Sequence, residues 1–262
     1  MTTRSRTRRF TASLALAALL VLPGAVHAAG YGLYEMGARA LGQAGAFTAR
    51  ADDPSSIYFN PAGLSRLDGK ELLLSPNLIV FKAEFSGVAP SPGYGVQEET
   101  VDKTFPPFAL YYAQGIGKKV AAGIGIYNPY GLEVQWSNPD QYTGRYISTR
   151  SKITPFYFVP TGSVAINDRL RVGAGVNIVL SNVALERHIP AYDPFLDQTV
   201  DVGTVKLDSE NSVGVGFNAG VQWWPPGKLR FGGTYRSKVA IDYSGRADFT
   251  QTITGDPAFD PV

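Results

Sequence analysis

From Lys70 onward the chain alternates apolar and polar positions with period two. The clearest stretch is SVGVGFNAGVQW, where Val213, Val215, Phe217, Ala219, Val221 and Trp223 alternate with Ser212, Gly214, Gly216, Asn218, Gly220 and Gln222. Successive strand residues point to opposite faces, so one face is wholly apolar and the other small or polar. Farther on, Leu229, Phe231, Gly233, Tyr235, Ser237, Val239, Ile241 and Tyr243 alternate with Lys228, Arg230, Gly232, Thr234, Arg236, Lys238, Ala240 and Asp242, which gives the polar face long cations. The pattern predicts strands over 70–85, 107–113, 118–127, 155–166, 170–185, 212–224 and 228–244. Several are long enough for a membrane-spanning strand, which needs about 9 to 11 residues.

The connections alternate too: long over 86–106, 128–154 and 186–211, short over 114–117, 167–169 and 225–227. Short turns on one side and long loops on the other are the pattern of outer-membrane barrels, with lipid outside and a polar interior. Tyr111, Tyr112, Trp223, Trp224 and Tyr243 near strand ends suit interfacial girdles. A soluble sandwich with its loops biased to one end would show the same alternation. Seven strands is an odd number, so both termini cannot lie on one side of a closed barrel. The expectation is the front part of a longer barrel, or one subunit of a shared one.

The residues before the strands read differently. Gly32 to Leu67 is rich in Ala and Gly, with Met36, Ala40, Leu41 and Ala44 near helical spacing. Asp53-Pro54 and Asn60-Pro61 each place an N-cap residue before a proline at the first helical position. Short helices are expected over 29–69. Earlier still, Arg4, Arg6, Arg8 and Arg9 precede an apolar run from Ala12 to Val21, and Val26-His27-Ala28 offers a cleavage site, so 1–28 reads as a signal peptide. Arg8-Arg9 also allows a twin-arginine signal.

Composition narrows the chemistry. There is no cysteine, which excludes disulfides and thiolate metal sites, and His188 is the sole histidine after the signal peptide. No cofactor or metal is expected. The 24 Lys and Arg against 22 Asp and Glu include the signal arginines, so nucleic-acid binding gains no support.

Three pieces, in order, carry a family resemblance: AGYGLYEMGARALGQAGAFTARADDPSSIYFNPAGL with its tripeptide Asn60-Pro61-Ala62, RLRVGAGVNIVLSNVALER, and GFNAGVQWWPPGKLRFGGTYRSKVAIDYSG. They resemble the FadL/TodX (OMPP1) family of outer-membrane transporters for long-chain fatty acids and other hydrophobic compounds. The resemblance implies an all-β transmembrane antiparallel β-barrel of fourteen strands with a small N-terminal helical hatch in the lumen. About half of that wall, 70–262, would be present here. It further implies a monomeric barrel in the outer membrane, in contact with lipid, whose partners are hydrophobic small molecules.

The resemblance also places site residues. Asn60, Pro61 and Ala62 belong to the hatch, near a kinked third strand through which ligand leaves sideways. In that strand, KKVAAGIGIYNPYG, Gly123 and Gly125 permit a bend, or simply make room for the hatch. Arg187, at the end of ALER, falls in the high-affinity pocket, and by parity it shares the lumen face with Arg171, Gly173, Gly175, Asn177 and Ser181. A guanidinium suits a fatty-acid carboxylate; the alternative is an ion pair with Glu186 or Asp193. Arg236 and Lys238 are lumenal by parity, as cations in most barrels are. Tyr31 and Leu33 of the N-terminal tail would line the pocket or pack against the wall, and Trp136, Tyr142 and Tyr146 suit an outer capture surface.

Passive uptake of fatty acids is therefore the leading expectation, with aromatic hydrocarbons or alkanes as the competing cargo. A lipid hydrolase using His188 lacks both a G-x-S-x-G element and an evident orienting partner for the imidazole. An adhesin rests on the long loops alone.

Overall fold

The structure is a computed structural model that describes residues 32–131, 133–194, 197–255 and 259–260. The signal-peptide reading, and Ala29, Gly30 and Tyr31 of the tail, lie outside the described residues. Two short helices, α1 (Ala38–Leu41) and α2 (Ser56–Phe59), and a 3-10 turn over Pro61–Arg66 precede the strands. The strands are β1 (Lys70–Pro76), β2 (Ile79–Phe81), β3 (Glu84–Ser86), β4 (Gln97–Glu99), β5 (Lys103–Phe105), β6 (Phe108–Ile116) and β7 (Val120–Tyr127). There follow β8 (Glu133–Gln135), β9 (Arg150–Ala165), β10 (Leu170–Asp193), β11 (Gln198–Ser209), β12 (Ser212–Trp223), β13 (Phe231–Arg236) and β14 (Gly245–Gln251).

Every pairing is antiparallel, and the main sheet runs β1-β6-β7-β9-β10, with β11 and β12 both on the far edge of β10. The strands trace seven passes, because β1–β3, β4–β6, β7–β8, β11–β12 and β13–β14 are successive parts of one pass each. The sheet is not closed among the described residues.

One expectation fails on the far side. Residues 186–211 are not a loop: β10 continues to Asp193 and turns back as β11, pairing from Asp193↔Gln198 to Ala184↔Asp208. The ladder absorbs Pro190, which has no N–H to donate, through a register shift between Ile189 and Pro190. The loops expected over 86–106 and 128–154 likewise contain short paired strands.

We call inner the face on which the helical segment packs. On β12 the outer face carries Val213, Val215, Phe217, Val221 and Trp223, all exposed, while Asn218 and Gln222 are buried inside. On β10, Val176, Ile178 and Leu180 are outside, and Asn177, Val179 and Ser181 are inside. The apolar set that the alternation assigned to one face therefore faces away from the core. The core itself lies between wall and helical segment: Met36, Phe47, Ile57, Phe59 and Leu64 against Tyr111, Tyr127, Tyr157, Val159 and Val179.

Of the residues expected in the girdles, Tyr112 and Trp223 are exposed on the wall, whereas Tyr111 is fully buried and donates its hydroxyl to the Met36 carbonyl at 2.8 Å. The seventh pass also departs from strict alternation. β13 pairs Asn218↔Arg236 and β14 pairs Gly203↔Gln251, a common register, yet the residues between them leave the ladder. Val239 and Ile241 pack against the core over Gly214 and Gly216, and Tyr243 bonds Ser181. These three side chains are therefore not on the outer apolar face where parity put them. The glycines are the physical reason: a Cβ on Gly214 would come within 2.6 Å of Val239 and Ile241 side-chain atoms.

Candidate functional site

The Asn60-Pro61-Ala62 tripeptide is the best-anchored part of the helical segment. Asn60 is extended, and its side-chain oxygen accepts from the Ala62 N–H at 3.1 Å, which caps the 3-10 turn with Pro61 at its first position. Its amide nitrogen donates to the carbonyls of Thr48 (2.8 Å) and Val221 (3.0 Å), so one buried side chain joins turn, preceding loop and wall. The wall is recessed to receive it. Gly173 and Gly220 face each other across β10 and β12, and a Cβ on either would run into Pro61, Asn60 or Ala62. Ser163 closes the seat from β9 by donating to the Ala62 carbonyl at 2.9 Å.

Gly123 and Gly125 sit in an unbroken part of β7, paired with Ala113 and Tyr111 on one side and with Thr161 and Val159 on the other. Cβ atoms there would lie 3.1 and 3.0 Å from Ile57 of α2, so both glycines let the helix approach the strand. The third pass is interrupted farther on. After Tyr127 the chain leaves β9 and rejoins it as β8, with the register slipped by one between Tyr127↔Tyr157 and Glu133↔Lys152. At the interruption the Leu33 N–H donates to the Pro129 carbonyl at 2.8 Å, and the Asn128 side chain accepts from Phe108 N–H at 3.0 Å. A cavity of about 540 Å³ opens there, lined by Phe105, Pro107, Phe108, Ile153 and Phe156 among others. Leu33 itself is buried.

Arg187 pairs with Val205, on the same face as Leu185 and Leu207, and its side chain is exposed. Of the two carboxylates suggested as its ion-pair partner, Glu186 or Asp193, Glu186 contacts Arg150 at 2.9 Å and Lys206 at 3.3 Å instead. Nearby, Val183, Leu185, Leu207 and Tyr243 line an apolar groove of about 340 Å³. Lys238 is exposed. Trp136 and Tyr142 stack at 3.9 Å over a cavity lined mainly by polar residues, among them Glu84, Glu98 and Gln141. Tyr146 lies instead under the Arg145 guanidinium, 4.5 Å from its ring centre.

Two features escaped the sequence reading. His188 is buried, with Asp201 3.3 Å from Nδ1 and Asp140 3.3 Å from Nε2, although Asp201 is out of line for a hydrogen bond to Nδ1. Its partner was hidden because 186–211 reads as a loop. Arg236, treated as an ordinary lumen cation, reaches across the core to α2: Nη2 donates to the Tyr58 carbonyl at 2.7 Å, and the guanidinium lies 4.4 Å from the Tyr58 ring centre. Tyr58 meets Tyr127 with 5.3 Å between ring centres and Tyr127 stacks on Tyr157 at 5.7 Å, a cluster drawn from distant points in the sequence, so no local motif announces the site.

The family described as outer membrane protein transport protein (OMPP1/FadL/TodX) matches residues 19–256. Outer membrane protein P1 of Haemophilus influenzae is 25% identical over 91% of this chain and 60% of its own length. A long-chain fatty acid transport protein of Escherichia coli is 24% identical over 93% of this chain and 57% of its own. Among solved structures, a Pseudomonas aeruginosa FadL homologue superposes with a TM-score of 0.68 at 19% identity, covering 85% of this chain and 56% of that one. The CymD monoaromatic hydrocarbon channel gives 0.61 at 18% identity, covering 86% and 59%. The chain thus spans less than two thirds of the length of these relatives. The chain belongs to the OMPP1/FadL/TodX family of outer-membrane transport proteins.

Proposed function

We propose that this chain forms part of a passive outer-membrane channel for long-chain fatty acids or similar hydrophobic molecules. The observation that carries this reading is the bond from Leu33 N–H to the Pro129 carbonyl, which ties the buried N-terminal segment to the interruption of the third pass. A plug whose tail is held at a break in the wall couples the ligand compartment to a sideways exit. In this reading 29–69 is the hatch, seated by Asn60, Pro61 and Ala62, and 70–262 is barrel wall with its apolar face toward outer-membrane lipid. Residues 1–28 are the signal peptide that directs export.

Cargo would be collected among the outer loops near Trp136 and Tyr142, then pass the apolar groove beside Arg187, whose guanidinium meets an acidic head group. Leu33, with Tyr31 before it, would line the deeper compartment. Release would follow movement of the tail away from Asn128 to Gly131, with Gly123 and Gly125 serving the hatch as clearance. The alternative cargo, a monoaromatic hydrocarbon, is favoured by the apolar side chains Val183, Leu185 and Leu207 in the lining of the groove. A lipid hydrolase is a weaker reading, because among the described residues no serine hydroxyl bonds His188.

Growth of a deletion strain on oleate or on toluene, complemented with the wild-type gene, tests the proposal. Restored growth on oleate supports fatty-acid uptake and restored growth on toluene supports the alternative. Restoration of neither overturns both.

A further inference from the structure

Several side chains on the inner face have desolvated polar atoms without partners among the described residues, and the ladder gathers three of them, Arg236, Asn218 and Asn177. Arg236 stands opposite Asn218, and Asn218 stands opposite Gly175. Asn177 lies two residues along β10 from Gly175, on the same face, which makes it the diagonal neighbour of Asn218 at about 7 to 8 Å. Gly175 makes the space, since a Cβ there would come within 2.6 Å of the side-chain oxygens of Asn218 and Thr161. Tyr127 stands behind Tyr58, the ring that the guanidinium covers, with 5.3 Å between the two ring centres. The unpartnered atoms are Arg236 Nε, both amide atoms of Asn177, Asn218 Oδ1 and the Tyr127 hydroxyl. Asn177 and Tyr127 are fully buried.

The charge at this place is one-sided. Arg236 contacts the Tyr58 carbonyl and ring, and among the described residues it forms no ion pair with a carboxylate. A partly buried guanidinium without a counter-charge is costly, and a desolvated Nε–H left without an acceptor adds to that cost. The missing group is therefore an anion with two coplanar oxygens, the partner a guanidinium fork fits best.

We propose that Arg236, with Asn177 and Tyr127 beside it, is the seat for the carboxylate of an acyl ligand, deeper in the lumen than Arg187. This rests on the uptake reading above and adds to it a residue that distinguishes acids from neutral hydrocarbons. It also couples binding to the hatch. Nε–H and Nη2–H form one edge of the guanidinium, and Nη2 now holds the carbonyl of Tyr58 at the end of α2. A carboxylate taking both donors displaces that carbonyl, so head-group binding loosens the hatch.

The test is binding of oleate and of methyl oleate to the protein in isolated outer membranes, compared with Arg236→Gln and Asn177→Asp. Arg236→Gln is expected to weaken oleate by about ten- to a hundredfold while moving methyl oleate less than about twofold. Asn177→Asp places a carboxylate on the same inner face, across Asn218 from Arg236. It is expected to abolish the preference for oleate while leaving thermal stability unchanged or higher, a pairing that mere structural damage does not produce. Equal loss for both ligands, no loss of oleate, or collapse of the folded state in Asn177→Asp overturns the seat. A wild-type protein that binds methyl oleate as well as oleate also overturns it and leaves hydrophobic uptake standing; one that binds neither overturns both.

Discussion

Two bands of the same wall are held together in different ways. Beneath the helical segment, wall side chains bond mostly to main-chain carbonyls of that segment: Ser163 to Ala62, Asn218 to Ile57, Arg236 to Tyr58, and Asn60 back to Val221. Toward the β10–β11 hairpin the bonds join side chain to side chain. Arg150, Glu186 and Lys206 stand in one row across β9, β10 and β11, with Glu133 and Lys103 extending it. Arg145 adds a contact to Asp201 at 2.9 Å. The lower band fixes a shape, because carbonyls cannot move without the helix that carries them. The upper band fixes charges on long flexible side chains, and salt and pH act on it directly.

Filling the recess under Pro61 should separate the bands most sharply. Gly173→Val or Gly220→Val drives a side chain into Asn60 and Pro61, and overpacking of this kind costs about 3 kcal/mol. Urea unfolding of the purified protein should show that loss. Gly162→Val is the control, since the space at Gly162 is open and the expected change is within about 0.5 kcal/mol. Similar losses in both variants would mean that glycine matters here for strand flexibility rather than for the seat.

Asn60 offers a finer cut. Asn60→Ala removes a helix cap and two donors to main-chain carbonyls, an expected loss of about 2 kcal/mol. Asn60→Asp keeps the cap but points a carboxylate at the same two carbonyls, so it should be at least as damaging. If Asp rescues, the cap alone holds the turn and the tie to Val221 is unimportant.

The upper band should respond more weakly. Arg150→Met breaks contacts to Glu133 and Glu186 at a cost of about 1 kcal/mol, read as faster proteolysis near residue 140 rather than lower global stability. In about 1 M salt the difference from wild type should shrink, since screening then acts within about 3 Å. A salt-independent effect would place this cluster with the lower band.

Legibility in the sequence followed the same division. The period-two alternation placed Val213, Val215 and Phe217 on the outer face, and Asn60-Pro61 announced a capped turn, because both signals are local in the chain. The β10–β11 hairpin stayed hidden because its charged residues and Pro190 read as loop, and only cross-strand ion pairs reveal why they are there. The inward fold of Val239 to Tyr243 depends on Gly214 and Gly216 of another strand, and the surroundings of Arg236 on Tyr58, Tyr127 and Tyr157. No window of sequence contains those sets. Gly123 and Gly125 were visible as special, but whether a strand glycine bends the strand or clears space is decided by Ile57 from α2.

The smallest predicted effect concerns pH, and it tests whether the lower band has any ionic component. Asp52 contacts both Arg39 and Arg50 at 3.0 Å on the exposed margin of the helical segment. Burial pushes its carboxyl up, but the hydrogen bonds and charges of Arg50 and Arg39 outweigh this and leave it below the ordinary aspartate value. A lowered folded value means the contribution is complete above the unfolded pKa of about 4 and disappears as pH falls through the folded value. For an arginine pair at this margin the amount is at most about 1 kcal/mol. Asp52→Asn should therefore lower stability slightly at pH 7 and converge on wild type near pH 2, measured by urea midpoints at both pH values. A gap that persists in acid would mean that Asp52 acts through packing, in which case the lower band is held by shape throughout.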